Sequence, residues 1–118
     1  MNPGKIRGIL YIMERDLPII EQIVTFITSK ISPEKIILFG SYARGENNEN
    51  SDIDIMIILK NLENERTITR LLYKALLNEN ITIPIDFLAI DYDKYNLLKN
   101  KTGYIYKTIE QEGKVIYG

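Results

Sequence analysis

The sequence predicts an α/β domain, a small mixed β-sheet flanked by helices. Three observations predict it. Apolar residues recur at helical spacing between 17 and 31. Apolar runs of strand length occupy 35–39, 52–60 and 81–90. Helical periodicity returns at 63–79 and 93–112, giving the order α-β-β-α-β-α. The 118 residues suit a single domain, 1–118, around one modest core.

Each element has a local reason. Residues 4–14 read as a short helix with Ile6, Ile9, Leu10 and Met13 on one side. Ile19, Ile20, Ile23, Val24, Ile27 and Ile31 make the stripe of a helix over 17–31. Asp16 is placed to cap that helix, Pro18 suits its first turn, and Ser32-Pro33 stops it. Lys35 to Phe39 is a buried strand ending at Gly40. Residues 41–45 are a turn or a single helical turn, and 46–50 are polar loop. Asp52 to Lys60 is apolar on both faces beyond its acidic start, which predicts a central strand. Ile68, Leu71, Leu72, Ala75 and Leu76 face inward from a helix over 63–79. Pro84 lies inside the 81–90 run and argues for an edge or an early strand position. Residues 93–112 form a last helix, interrupted or bent near Gly103, and Val115–Tyr117 is a short strand or docked tail.

Composition narrows the chemistry. There is no cysteine and no histidine, which excludes disulfides, thiolate nucleophiles, structural zinc and Ser-His-Asp catalysis. Any metal must take oxygen ligands, which favours Mg²⁺, Mn²⁺ or Ca²⁺. The net charge of −1 gives no bulk electrostatic case for direct nucleic-acid or membrane binding. The first 20 residues carry Lys5, Arg7, Glu14, Arg15 and Asp16 and hold no apolar signal core, so a cytoplasmic protein is expected.

The chemistry-bearing residues lie where strands begin and end. Asp52 and Asp54 share one face of their strand, about 7 Å apart along it, while Ile53, Ile55 and Ile57 fill the other. Asp86 lies opposite the face formed by Ile83, Ile85, Phe87 and Ala89. If the two strands are neighbours, the three carboxylates form one acidic cluster. Their mutual repulsion makes a place for one divalent cation, or two about 4 Å apart. Gly40 lets the backbone approach a phosphate closely, and Ser41 and the N–H groups after it can donate to phosphate oxygens. Arg44 either adds charge there or is a solvated or structural arginine; the sequence leaves these open.

Gly40-Ser41, ten intervening residues and Asp52-x-Asp54 resemble the signature of the DNA-polymerase-β-like nucleotidyltransferase superfamily. The fuller string Gly40-Ser41-x-Ala43-Arg44-Gly45, then Ser51-Asp52-Ile53-Asp54, is similar to its minimal nucleotidyltransferase (MNT) branch. So is the ending Ile109-x-x-Glu112-Gly113-x-x-Ile116-Tyr117, and the resemblance covers roughly 17–117. It implies the polymerase-β-like fold and an antitoxin that transfers AMP from ATP to a tyrosine of a helical HEPN toxin. Carried over by position, Asp52 and Asp54 bind Mg²⁺, in a site for two ions, and serve catalysis. Asp86 is the third metal carboxylate and the base for the acceptor hydroxyl. Gly40, Ser41 and Arg44 hold the nucleotide. Many relatives carry a second domain for the acceptor; this chain has no room for one, so a protein acceptor, with oligomers formed through it, is expected. Transfer to a small molecule or RNA, or neutralisation by contact alone, are the alternatives.

Overall fold

The computed structural model describes residues 12–118. The helix expected over 4–14 lies almost wholly outside them; Glu14–Asp16 at its end is a 3-10 turn. Helix α1 (Leu17–Lys30) follows, with Pro18 in its first turn. Asp16 occupies the N-cap position but makes no capping hydrogen bond. Its carboxylate accepts instead from the Asn47 amide, 31 residues away.

Strand β1 (Lys35–Phe39) runs directly into a five-residue helix α2 (Gly40–Arg44), so the expected turn is a helical one. Gly45, left-handed at φ 68°, ends it. Strand β2 (Ile53–Leu59) comes next. Helix α3 (Glu65–Leu76) is shorter than its apolar pattern at both ends. Asn64 caps its start by accepting from the Arg66 N–H. Past its end Leu77 and Asn78 bond three residues back, the tightening of a helix that is stopping.

Strand β3 (Ile85–Asp91) begins one residue after Pro84, four later than its apolar run suggests. Proline has no N–H for a ladder, but the Pro84 carbonyl accepts from Ile53 N–H and opens the pairing with β2. The helix expected over 93–112, interrupted or bent near Gly103, is interrupted there into two helices, α4 (Tyr92–Leu98) and α5 (Ile105–Glu112). Gly103 at φ 96° and Tyr104 in extended backbone interrupt it rather than bend it. Strand β4 (Lys114–Tyr117) closes the described chain.

The four strands form one mixed sheet in the order β3-β2-β1-β4. β1 is antiparallel to both β2 and β4, and β2 is parallel to β3. β2 is therefore internal, as its two apolar faces predict, and β3 is an edge, as Pro84 predicts. The sheet carries apolar residues on both sides. One face sends Ile36, Leu38, Ile53, Ile55, Ile57, Ile85 and Phe87 toward α1 and Leu72 of α3. The other sends Ile37, Met56, Ile58 and Ile90 toward Tyr95 of α4 and Ile109 of α5. Leu71, expected inside, is exposed at the flank of the α3 stripe. Gly113 brings the α5–β4 turn tight against β1; a Cβ there would lie 2.6 Å from Ile37 Cγ2.

Asp91 ties the second face together. Its carboxylate accepts from Leu62 N–H at 2.9 Å and, as the N-cap of α4, from Asp93 and Lys94 N–H at 3.0 and 3.3 Å. These amides, first that of Leu62, hold its carboxyl below the ordinary 3.8. With the folded value below the unfolded one, the stabilisation is complete above 3.8 and is lost as pH falls through the folded value. Asp91→Ala should lower the denaturant midpoint at neutral pH and flatten the acid limb of the stability curve. Denaturant titrations across the acid range measure both effects. A variant with the parent's midpoint and acid limb would show that the cap contributes nothing.

Candidate active site

The site starts at the junction of β1 and α2. In the β1–β2 ladder Phe39 stands opposite Asp54. The next residue, Gly40, has φ 73°, a region that side chains with a Cβ avoid. It also lies against the Asp54 side chain. A Cβ on Gly40 would meet the Asp54 carboxylate, with the carboxyl carbon only 3.1 Å away. Gly40 is therefore required twice, for its backbone and for the room it leaves. Ser41 follows it, half-buried in α2, and its carbonyl accepts the Glu46 N–H as the chain leaves the helix.

The parallel β2–β3 ladder sets Asp54 directly beside Asp86. Both lie at the start of their strands, on the face that continues as Met56 and Ile58 on β2 and Leu88 and Ile90 on β3. Asp52 stands one residue before β2 and is exposed, Asp54 is half-buried, and Asp86 is exposed at the sheet edge. Burial raises the Asp54 carboxyl above its ordinary 3.8, and the charges of Asp86 and then Asp52 raise it further; Arg44 opposes them. The other two acids and the arginine thus all act on Asp54 through space.

The acids converge but are not drawn into a ligand cage. Among the described residues no three carboxylates are close enough to grip one ion as they stand. The donor set nevertheless fits a hard divalent cation: oxygen ligands only, two of them in register on adjacent strands, under a repulsion that a cation would relieve. Arg44 sits at the end of α2, with Nε donating to Glu46 at 3.0 Å and Nη1 3.8 Å from Glu112 of α5. Of the readings the sequence left open, the structural one holds here: Arg44 bridges α2 to α5, with its charge also felt at Asp54.

Two supports escaped the sequence. The Tyr73 hydroxyl on α3 accepts the Phe87 N–H at 2.8 Å, and its ring meets Phe87 edge-on at 5.1 Å. That bond covers the outer edge of β3 one residue beyond Asp86. A tyrosine on the flank of an amphipathic helix carries no sequence signal for such a contact. The polar stretch 46–50 is also a built loop. Asn48 N–H donates to Ser51 Oγ, Ser51 N–H returns to the Asn48 carbonyl, and Asn50 N–H donates to Asn48 Oδ1. An asparagine whose side chain accepts from the backbone two residues on, as Asn48 does from Asn50, is a common turn former, so Asn48 was the available signal.

The family model of the nucleotidyltransferase domain matches residues 20–116. The chain belongs to that family. Two proteins of Methanocaldococcus jannaschii, each named a candidate protein adenylyltransferase, are similar to parts of this nucleotidyltransferase domain. One is 43% identical over 42 residues, 36% of this chain and 40% of its own length. The other is 72% identical over 25 residues, 21% of this chain and 25% of its own. The matches thus span less than half of either relative. A Sulfolobus solfataricus crystal structure described as a candidate nucleotidyltransferase aligns over 99% of this chain and 89% of its own, with TM-score 0.60 and 20% identity. A toxin–antitoxin structure with AMP-PNP aligns over 84% and 73%, with TM-score 0.55 and 24% identity. A mutant MntA–HpeT toxin–antitoxin structure aligns over the same shares, with TM-score 0.55 and 22% identity. At these identities the likeness is one of fold. The mixed sheet flanked by helices is thus the nucleotidyltransferase fold that the sequence predicts. Among the described residues no helix is long and apolar enough to cross a membrane.

Gly40→Ala tests the junction. It forces a Cβ into positive φ and into the Asp54 carboxylate, and should cost about 1–3 kcal/mol of stability. Gly40→Ala/Asp54→Ala should recover part of that loss, because the clash goes and the backbone strain stays. Denaturant unfolding of both variants measures it. Equal stability of Gly40→Ala and parent would contradict the tight approach.

Proposed function

We propose that this nucleotidyltransferase domain transfers AMP from ATP to a tyrosine hydroxyl of a helical HEPN toxin, as an MNT-type antitoxin with Mg²⁺ as its metal. One observation carries the reading. Gly40 presses the end of β1 against Asp54, and the β2–β3 register sets Asp86 beside that carboxylate. A phosphate-approaching turn and paired acids therefore meet at one point. The names of the curated relatives support adenylyl transfer to protein, and the resemblance to toxin–antitoxin structures supports the class of partner.

Asp52, Asp54 and Asp86 would hold the divalent ions, two in the full complement. Bound there, such ions neutralise triphosphate charge and ease ionisation of the attacking hydroxyl. The chain's own residues do the rest. Gly40 admits the phosphates to the backbone, and Ser41 donates to their oxygens. Arg44, already electrostatically coupled to Asp54, exchanges carboxylate partners for phosphate charge. The acceptor oxygen attacks the α-phosphorus, a new O–P bond forms, and the bond from the α-phosphorus to the bridging oxygen breaks to release pyrophosphate. The hydroxyl proton passes to Asp86. Its position argues for this role: β3 is the sheet edge and Asp86 is exposed there, where a macromolecular hydroxyl arrives first, whereas Asp54 lies inside on β2.

Incubation with α-labelled ATP, Mg²⁺ and the product of the adjacent gene, the place where the proposed HEPN partner is expected, should label that product. EDTA should abolish the label, and Asp52→Asn/Asp54→Asn should reduce it by about 100-fold or more. Absence of transfer, or transfer undiminished in the double variant, would overturn the reading. A stable complex that neutralises the toxin without ATP would point to contact alone.

A further inference from the structure

Asp16 and Asn47 are the buried polar residues of the described chain, at 9% and 7% exposure. Asn47 Nδ2 donates to Asp16 Oδ2 at 2.9 Å. Asp16 serves α1 with no capping bond, so its carboxylate has another use. Asn47 Oδ1 is buried with no hydrogen-bond partner. The opposite amide orientation would aim that oxygen at the carboxylate, so the charge on Asp16 fixes which way Asn47 points.

Asn47 is also the one buried residue between Ala43 and Ile53. On its N-terminal side the loop is tied to α2 by the Glu46 N–H bond to the Ser41 carbonyl. On its C-terminal side the Asn48–Ser51 turn closes on itself and delivers the chain directly into Asp52. Both ties are internal to the segment from Ser41 to Ser51. Arg44 of α2 also reaches out, to Glu112 of α5, but within the loop 46–51 it is Asn47 whose side-chain hydrogen bond leaves the segment, to the residue just before α1. Removing a carboxylate and an amide from water is costly, and an apolar pair would fill the same space without that cost. What the polar pair adds is direction: one donor, one acceptor, one loop geometry.

We propose that Asp16 and Asn47 are a positioning pair, whose buried hydrogen bond anchors the loop that places Asp52 beside Asp54 and Asp86. The inference rests on the nucleotidyl-transfer reading for its consequence, but the anchor itself is observable without any reaction. The pair touches neither nucleotide nor acceptor; it acts through Asp52.

Three proteins test it: Asn47→Ala, Asp16→Ala, and the exchange Asp16→Asn/Asn47→Asp, which rebuilds the amide–carboxylate bond with its ends reversed. Amide hydrogen exchange over 46–52 should rise about 10-fold or more in the single variants while β1 and β2 stay protected. AMP transfer to the HEPN protein should fall about 10-fold in kcat, with KM for ATP nearly unchanged, because a displaced carboxylate costs orientation rather than nucleotide contacts. The exchange variant should restore loop protection and kcat together. Unchanged exchange over 46–52 in the single variants would overturn the proposal. So would loosening of the whole domain in equal measure, or an exchange variant that regains loop protection without regaining kcat. If the parent itself transfers no AMP, the functional reading fails, while exchange over 46–52 still decides the anchor.

Discussion

The approach of Gly40 to the Asp54 carboxylate is the constraint around which the molecule is arranged. It requires β1 to end where it does, because Phe39 is already paired with Asp54 and the next residue must turn away at positive φ. It requires α2 to start at once, which puts Ser41 and Arg44 on the same side of the junction. It also requires β2 to be internal, since only a strand paired on both sides can meet Gly40 on one edge and Asp86 on the other. The two apolar faces of the sheet supply the rigidity that holds this junction closed.

The same junction concentrates unfavourable electrostatics. Asp54 sits half-buried beside two other acids, and its carboxyl is raised by burial and by their charge. A fold shaped for stability alone would place apolar side chains at the head of β2 and β3, continuing the run of Met56, Ile58, Leu88 and Ile90 on that face. The local rule is broken at the point where the proposed chemistry needs it broken. Arg44 returns part of the loss through its positive charge, and Glu46 and Glu112 hold that arginine in place.

Much of this was legible in the sequence, for physical reasons that differ by element. The α1 stripe and the alternation of Ile53, Ile55 and Ile57 with Asp54 follow from helix and strand periods, which act locally. Pro84 announced an edge strand because a missing N–H is a local fact. Gly40 could be tied to Asp54 only through the family pattern, since the β1–β2 register is a tertiary property. The split between α4 and α5 was legible in place but not in kind: Gly103 marks an interruption or a bend, and Asn100 to Thr102 carry no strong breaker to decide between them. The bond from Asp16 to Asn47 spans 31 residues, and an asparagine among loop residues looks solvated until its neighbours are known. Tyr73 was illegible for a similar reason: its partner is a backbone amide on a strand 14 residues on.

The central claim is that Asp52, Asp54 and Asp86 together form the seat of a divalent cation bound with a nucleoside triphosphate. A crystal structure with Mn²⁺ and a non-hydrolysable ATP analogue, read by the anomalous signal of manganese, tests it most directly. A manganese peak within coordination distance of Asp54 and at least one of Asp52 and Asp86, with triphosphate oxygens against Gly40 and Ser41, is the predicted result. A nucleotide bound elsewhere, or manganese absent from these carboxylates at full nucleotide occupancy, would contradict it.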